Sequence, residues 1–292
     1  MRRLGVHTSI AGGLDKSLLR ASELGCDTLQ IFSHNPRGWA LKDISPGEAA
    51  AFRKTREKLG LDPVIVHATY LISLFSRKLE LREQSAWMLA QEMARADALG
   101  ADYVVLHMGQ VAGEEDLCGA NGFSPGSLSG ICEALKAATR PGGRKKFRTG
   151  LLLENTAAKM LKDGAPSSIA ALALLARECG AAGVCIDTCH GFASGCDIGK
   201  PGGAEVLADE IRGELGAGKI KLIHLNDSKG PLGSGLDRHE HLGKGKIGAG
   251  GLANFLSSPA LAGVPVILET PKDNEKSDEE NLAVARALIG EK

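Results

Sequence analysis

Nine residues of this chain have side chains whose types and positions suit metal-ion chemistry: His67, His107, Glu154, Asp187, His190, His224, Asp237, His239 and Glu269. Six of them stand at or near the C-terminal end of a short apolar run. His67 follows VIV, His107 follows YVVL, Glu154 follows GLLL, Asp187 follows GVCI, His224 lies within KLIHL and Glu269 follows PVIL. One His or Glu in such a place ordinarily caps a loop. Six together are not packing residues, because burying an unpaired polar group costs about 2–7 kcal/mol and an unpaired charge costs more. A shared cationic partner is the simplest explanation. The other three residues extend the set. Asp187-Thr188-Cys189-His190 returns an imidazole to the same cleft within one turn. Asp237-Arg238-His239 sets two ligand types two residues apart on an extended segment, so both face one way.

Five His, two Asp and two Glu, with no thiol, suit Zn²⁺, with Mn²⁺ or Fe²⁺ as alternatives; an all-oxygen set would indicate Mg²⁺ or Ca²⁺. Nine ligands are too many for one tetrahedral ion and match two or three ions that share bridging carboxylates. Ions about 3.5–4 Å apart typically hydrolyse phosphoryl esters or peptides, one lowering the pKa of a water while others hold the phosphate oxygens and the leaving alkoxide.

The elements that would position these residues alternate along the whole chain. Strands are expected at Leu4–His7, Thr28–Phe32, Val64–His67, Tyr103–His107, Gly150–Glu154, Gly183–Asp187, Lys221–Leu225 and Pro265–Glu269. Amphipathic helices are expected at Leu14–Leu24, Glu48–Leu59, Leu79–Leu99, Ser168–Cys179, Ala204–Leu215 and Asp278–Ile289. Eight strand–helix units without a compositional break indicate an α/β fold of the (β/α)8 TIM-barrel class, with residues 1–292 as a single domain. The strands are continuous apolar runs, as expected when both faces are buried. Gly109–Gly126 and the basic Arg140–Arg148 read as surface loops.

Composition narrows the setting. Basic and acidic residues number 35 each, so the chain lacks the basic excess that nucleic-acid binders often carry. Three divalent ions would outweigh the four carboxylates among the nine ligands and make the pocket cationic all the same. Seven cysteines without paired spacing read as reduced thiols of a cytosolic protein, and Cys185-Ile-Asp-Thr-Cys189 is not a C-x-x-C motif. No apolar run reaches the ~20 residues that span a bilayer, and the N-terminus lacks a signal-peptide pattern. A soluble, cytoplasmic protein with no membrane partner is expected.

Longer strings around the nine residues resemble the endonuclease IV family. The strongest are CIDTCHGFASGCD from Cys185 and DRHEHLGKGKIG from Asp237, in that order. HLNDSK from His224, ILET from Ile267, LENT from Leu153, HATYLISL from His67, HTSIAGG from His7 and NPRGW from Asn35 accompany them from the first strand to the last. The resemblance implies a DNA-repair AP endonuclease with three zinc ions. His67, His107 and Glu154 would hold the first. Glu154, Asp187, His224 and Glu269 would hold the second, and His190, Asp237 and His239 the third. It implies attack of water on the phosphorus 5′ to an abasic sugar, with Glu154 and Glu269 as catalytic groups and Glu269 helping to deprotonate that water. The implied substrates are double-stranded DNA with abasic sites or blocked 3′ ends. Asn35, Arg37 and Tyr70 would contact the duplex from loops above the barrel, and a monomer would leave the barrel mouth open to it.

Two other readings stand beside this one. A sugar isomerase or epimerase on the same kind of barrel would use Glu154, Asp187, His224 and Glu269 around one metal, but it has no role for the other five residues. A non-catalytic lesion- or metal-binding protein has no need of all nine. The chain also departs from the family pattern. Met108-Gly109-Gln110 stands where Pro-Gly-Ser is usual, and Ala68 occupies a position that is acidic in some relatives, where a carboxylate would support a ligating His.

Overall fold

Each of the eight apolar runs forms a strand, and the eight close on one another. The computed structural model describes residues 2–74, 76, 78–107, 118–119, 122–123, 125–139, 147–157 and 168–290. The barrel strands are β1 (Leu4–His7), β2 (Thr28–Phe32), β3 (Val64–His67), β4 (Tyr103–His107), β5 (Gly150–Glu154), β6 (Gly183–Asp187), β7 (Ile220–His224) and β8 (Val266–Leu268). Every strand pairs in parallel with its sequence neighbour, and β1 pairs with β8 to close the ring. This is the expected TIM barrel. Parallel strands expose nothing when helices cover the outside, which is why the runs are apolar throughout.

Alternation along the strands decides what points inward. Ile65, Val105, Leu152, Cys185, Leu222 and Ile267 form a separate buried cluster inside the barrel. Each lies two positions before one of His67, His107, Glu154, Asp187, His224 and Glu269. Side chains two apart on a strand share a face. The six candidate ligands are therefore the next inward layer above an apolar floor.

Outside, the helices α1 (Leu14–Glu23), α2 (Pro46–Leu59), α3 (Leu79–Leu99), α4 (Pro125–Thr139), α5 (Ser168–Cys179), α6 (Thr188–Ser194), α7 (Gly203–Leu215), α8 (Gly248–Leu256) and α9 (Ser277–Ile289) pack a second, larger cluster against the strands. Several boundaries differ from expectation. α2 begins before Glu48 because Ser45 and Glu48 form a capping box and Pro46 suits the first turn. β7 and β8 end one residue earlier than read, so Glu269 lies just past its strand. α4, α6 and α8 were not expected; the three glycines of α8 lower helix propensity, but Leu252, Phe255 and Leu256 bury one face. α4 starts at Pro125, inside the stretch read as loop; otherwise the 109–126 and 140–148 segments and Met108-Gly109-Gln110 lie wholly or largely outside the described residues. No helix among the described residues is long and apolar enough to cross a membrane.

Candidate metal centre

The strand ends converge as the layer argument requires. His67 Nε2 and His107 Nε2 stand 3.5 and 2.9 Å from Glu154 Oε2. On the other side of the same carboxylate, His224 Nδ1 is 2.9 Å and His190 Nδ1 3.5 Å from Oε1. His224 Nδ1 also lies 3.3 Å from Glu269 Oε2. Among the described residues, four sets of side chains have ligand atoms close enough to share an ion: His67 with His107 and Glu154; Glu154 with Asp187, His224 and Glu269; Asp187 with His190 and His239; and Glu154 with Cys185 and His224.

His190 and Asp237 arrive by local geometry. Asp187 is the N-cap of α6 and accepts the His190 amide at 2.7 Å, so the helix starts on one ligand and presents another a turn later. A short antiparallel pair, Asp227–Ser228 with His239–Glu240, carries His239 back over the barrel. Asp237 Oδ1 is 3.1 Å from His190 Nε2 and 3.6 Å from His239 Nε2, while the rest of that side chain is exposed. All nine expected residues thus gather at one barrel mouth.

The hydrogen bonds sort the ring nitrogens. A carbonyl only accepts, so His67, His190 and His239 each donate Nδ1–H: to Ala68 O at 2.7 Å, Asn155 O at 3.0 Å and Glu269 O at 3.0 Å. Their Nε2 atoms are left facing the carboxylates. The support expected from an acidic side chain at position 68 is supplied here by that residue's backbone, which Ala68 provides as well as any other residue.

Electrostatics fit a cation at the centre. Burial alone would raise the Glu154 carboxyl, but facing His107 and His224 hold it well below the usual carboxylate range. The same contest, with facing His224 prevailing over burial and His67 adding to it, keeps Glu269 ionised. The hydrogen bond from His190 pulls Asp237 down to about 2. Glu154 Oε2 is nevertheless fully buried and has no hydrogen-bond partner among the described residues, although imidazoles surround it. His239 Nε2 and His190 Nε2 face each other at 3.5 Å. A buried carboxylate oxygen ringed by imidazoles, and two ring nitrogens facing each other across the cleft, suit an ion bound through them. Cys185 also lies near Glu154 and His224, but it belongs to the apolar floor and burial pushes its thiol up to about 12.

Among the residues expected to touch DNA, Asn35 and Arg37 are exposed, and the Asn35 side chain accepts the Arg37 amide at 3.1 Å. Tyr70 is 65% exposed, its ring set edge-on to Phe32 and tilted against His67. It is therefore not packed beneath its loop. Both loops hang on one buried carboxylate: Glu92 of α3 accepts from Ser33, bonds His34 at 2.8 Å and takes the Thr69 amide at 3.2 Å.

Four residues at the centre escaped the reading of the sequence. His7 ends β1 and contacts Glu269, so the strand-end rule that found six residues finds it too. Gln30 bonds His224 and Glu269 from β2. Asn155 and Asn226 brace Asp187, and Asn226 also accepts the Glu269 amide. Amides carry no charge to draw notice, and only the barrel closure brings them to the ligands.

Comparison with known proteins adds to the geometry. A family model described as xylose isomerase-like TIM barrel matches residues 18–289. A probable endonuclease 4 from Methanoculleus marisnigri is 40% identical over 290 residues, covering 98% of this chain and 99% of that one. The crystal structure of endonuclease IV from Thermus thermophilus superposes with a TM-score of 0.83 at 36% identity, over 99% of both chains. A 3-keto-D-glucoside 4-epimerase from E. coli superposes with a TM-score of 0.66 over 98% of this chain and 100% of that one, but at 15% identity it shares the fold alone.

Proposed function

This chain belongs to the endonuclease IV family of xylose isomerase-like TIM barrels, DNA-cleaving hydrolases, and on that basis we propose that it is a DNA-repair AP endonuclease. It hydrolyses the phosphodiester 5′ to an abasic site, leaves a 3′-hydroxyl and also trims blocked 3′ ends, with residues 1–292 acting as one domain and one chain as the working unit. The observation that carries this reading is Glu154: a fully buried carboxylate with one unpartnered oxygen, imidazoles on both sides and a cleft above.

Three Zn²⁺ suit the donor set. His67, His107 and Glu154 would hold the first, Glu154, Asp187, His224 and Glu269 the second, and His190, Asp237 and His239 the third. When bound, the ions supply Lewis-acid charge to the phosphate oxygens, a lowered pKa for a water and a counter-charge for the leaving 3′-oxygen. Glu154 presents one oxygen to the His67–His107 side and the other to the His224 side, so it fixes the spacing between two sites. Glu269 has Oε1 tied to Gln30 at 2.6 Å and Oε2 turned to the cleft, where it takes the proton of the attacking water. At the rim, the exposed Tyr70 ring and the Arg37 guanidinium fill the gap that an ejected abasic nucleotide leaves in the stack, with Asn35 bonding beside them. The convergence of His67, His107, His190, Asp237 and His239 favours this reading over a one-metal epimerase, which would leave all five without work.

The test is incision of a duplex bearing one tetrahydrofuran abasic analogue by protein purified in zinc. That analogue cannot undergo β-elimination, so a nick ending in a 3′-hydroxyl requires hydrolysis. An intact duplex after incubation with folded, zinc-loaded protein overturns the proposal.

A further inference from the structure

Three of the imidazoles in the cleft are oriented by main-chain carbonyls, which substitution leaves in place. His224 is different, since its second nitrogen is held by a side chain. Gln30 is fully buried on β2, and its amide reaches three groups at once: Oε1 lies 2.9 Å from His224 Nε2, while Nε2 lies 2.6 Å from Glu269 Oε1 and 3.0 Å from His7 Nδ1.

Only one orientation of that amide is chemically consistent. Glu269 is a carboxylate and only accepts, so the NH₂ end must face it. The carbonyl end then faces His224, which must donate Nε2–H. That turns His224 Nδ1 toward Glu154 Oε1 and Glu269 Oε2, where it donates to the carboxylates until an ion bound between them takes the place of its proton. Reversing the amide would set two acceptor oxygens 2.6 Å apart and force the His224 proton onto Nδ1, where it would block a metal. The second amide hydrogen goes to His7 Nδ1, so His7 is the neutral tautomer with its proton on Nε2. Both hydrogens of the amide and its oxygen thereby have a partner.

We propose that Gln30 is a positioning residue that selects the metal-facing atoms of two ligands, Nδ1 of His224 and Oε2 of Glu269. The inference rests on the reading of those two residues as ligands. Gln30 touches neither metal nor substrate; it acts by removing the alternative tautomer and the alternative carboxylate oxygen. Partners of ligating groups ordinarily govern metal affinity by about 10–100-fold.

Full-length protein loaded with Zn²⁺ or Co²⁺ tests it through three variants. Gln30→Met keeps the length and loses every hydrogen bond. Gln30→Glu keeps an acceptor for His224 but loses the donor to Glu269. His224→Ala removes the ligand itself. The expected result is that Gln30→Met surrenders one metal per chain to a chelator about 10–100-fold faster than wild type, and that its Co²⁺ absorption spectrum changes shape. Gln30→Glu should also surrender that metal faster and show an altered spectrum. The remaining metals should leave at the wild-type rate in both. A merely structural role would lower the melting temperature and leave spectrum and chelation rate alone. If either Gln30 variant matches wild type in both readouts while His224→Ala loses a metal, the role of Gln30 is overturned. If His224→Ala also matches wild type, the ligand reading fails and takes this inference with it.

Discussion

His67, His190 and His239 each spend Nδ1–H on a backbone carbonyl and turn Nε2 into the cleft, so the direction of these three rings is set before any ion arrives. Without a bound ion, the carboxylates of the cleft favour protons on the imidazoles that face them. Burial disfavours a charged His190, yet Asp187, Asp237 and Glu154 outweigh it and hold the imidazolium well above its ordinary pKa. A raised pKa means the proton persists as pH climbs past the usual histidine range, and an incoming ion must displace it. Zinc binding should therefore release protons at neutral pH, strengthen as pH rises and weaken as it falls. Calorimetric titration in two buffers of different ionisation enthalpy measures the release; identical apparent enthalpies would contradict it. Asp237→Asn removes one of the groups supporting that proton and should reduce the number released.

Strand alternation and one short hairpin do the positioning at the level of elements. The hairpin pairing Asp227–Ser228 with His239–Glu240 is anchored by the buried Asp227, whose carboxylate accepts the backbone amides of Gly243, Gly245, Ile247 and Gly248 at 3.0–3.2 Å. Gly245 makes this approach possible, because a Cβ there would stand 2.4 Å from Asp227 Oδ1 and 2.5 Å from Ser228 O. Gly245→Ala must push the loop off Asp227 and is expected to destabilise by about 1–3 kcal/mol, the ordinary cost of overpacking. It should also loosen the ion that His239 would hold. Denaturant unfolding and metal content per chain check both outcomes, and an unchanged midpoint would show that the loop yields freely. How much of this was legible differs by element. The barrel strands follow from apolar runs, and the return of His190 to the cleft from its spacing to Asp187, whereas the short helix α6 and the hairpin with its two-residue strands have no periodicity to read.

For the molecule as a whole, charge has to be supplied locally. Basic and acidic residues cancel, so no general field draws DNA to the surface. If the ions provide the positive potential, chelation should weaken binding to an abasic duplex about 10-fold or more at fixed salt, and should do so without unfolding the barrel. Fluorescence anisotropy with chelated and zinc-restored protein, alongside circular dichroism, measures this. Equal affinities would mean that rim residues such as Arg37 carry the binding alone.

The nine candidate ligands and the barrel that gathers them were already written in the order of residues along the chain. Side chains at the ends of eight apolar runs must meet, because parallel strands with covered faces close in register and their C-terminal ends share one mouth. Which atom of each ligand faces the cleft was settled by folding alone. For three of them that choice belongs to neutral partners remote in the chain: the Asn155 carbonyl for His190, the Glu269 carbonyl for His239 and the Gln30 amide for His224. A backbone carbonyl has no residue type, and a glutamine inside an apolar strand has no signature of its own. Their roles arise from distance and direction, which exist once the chain has folded.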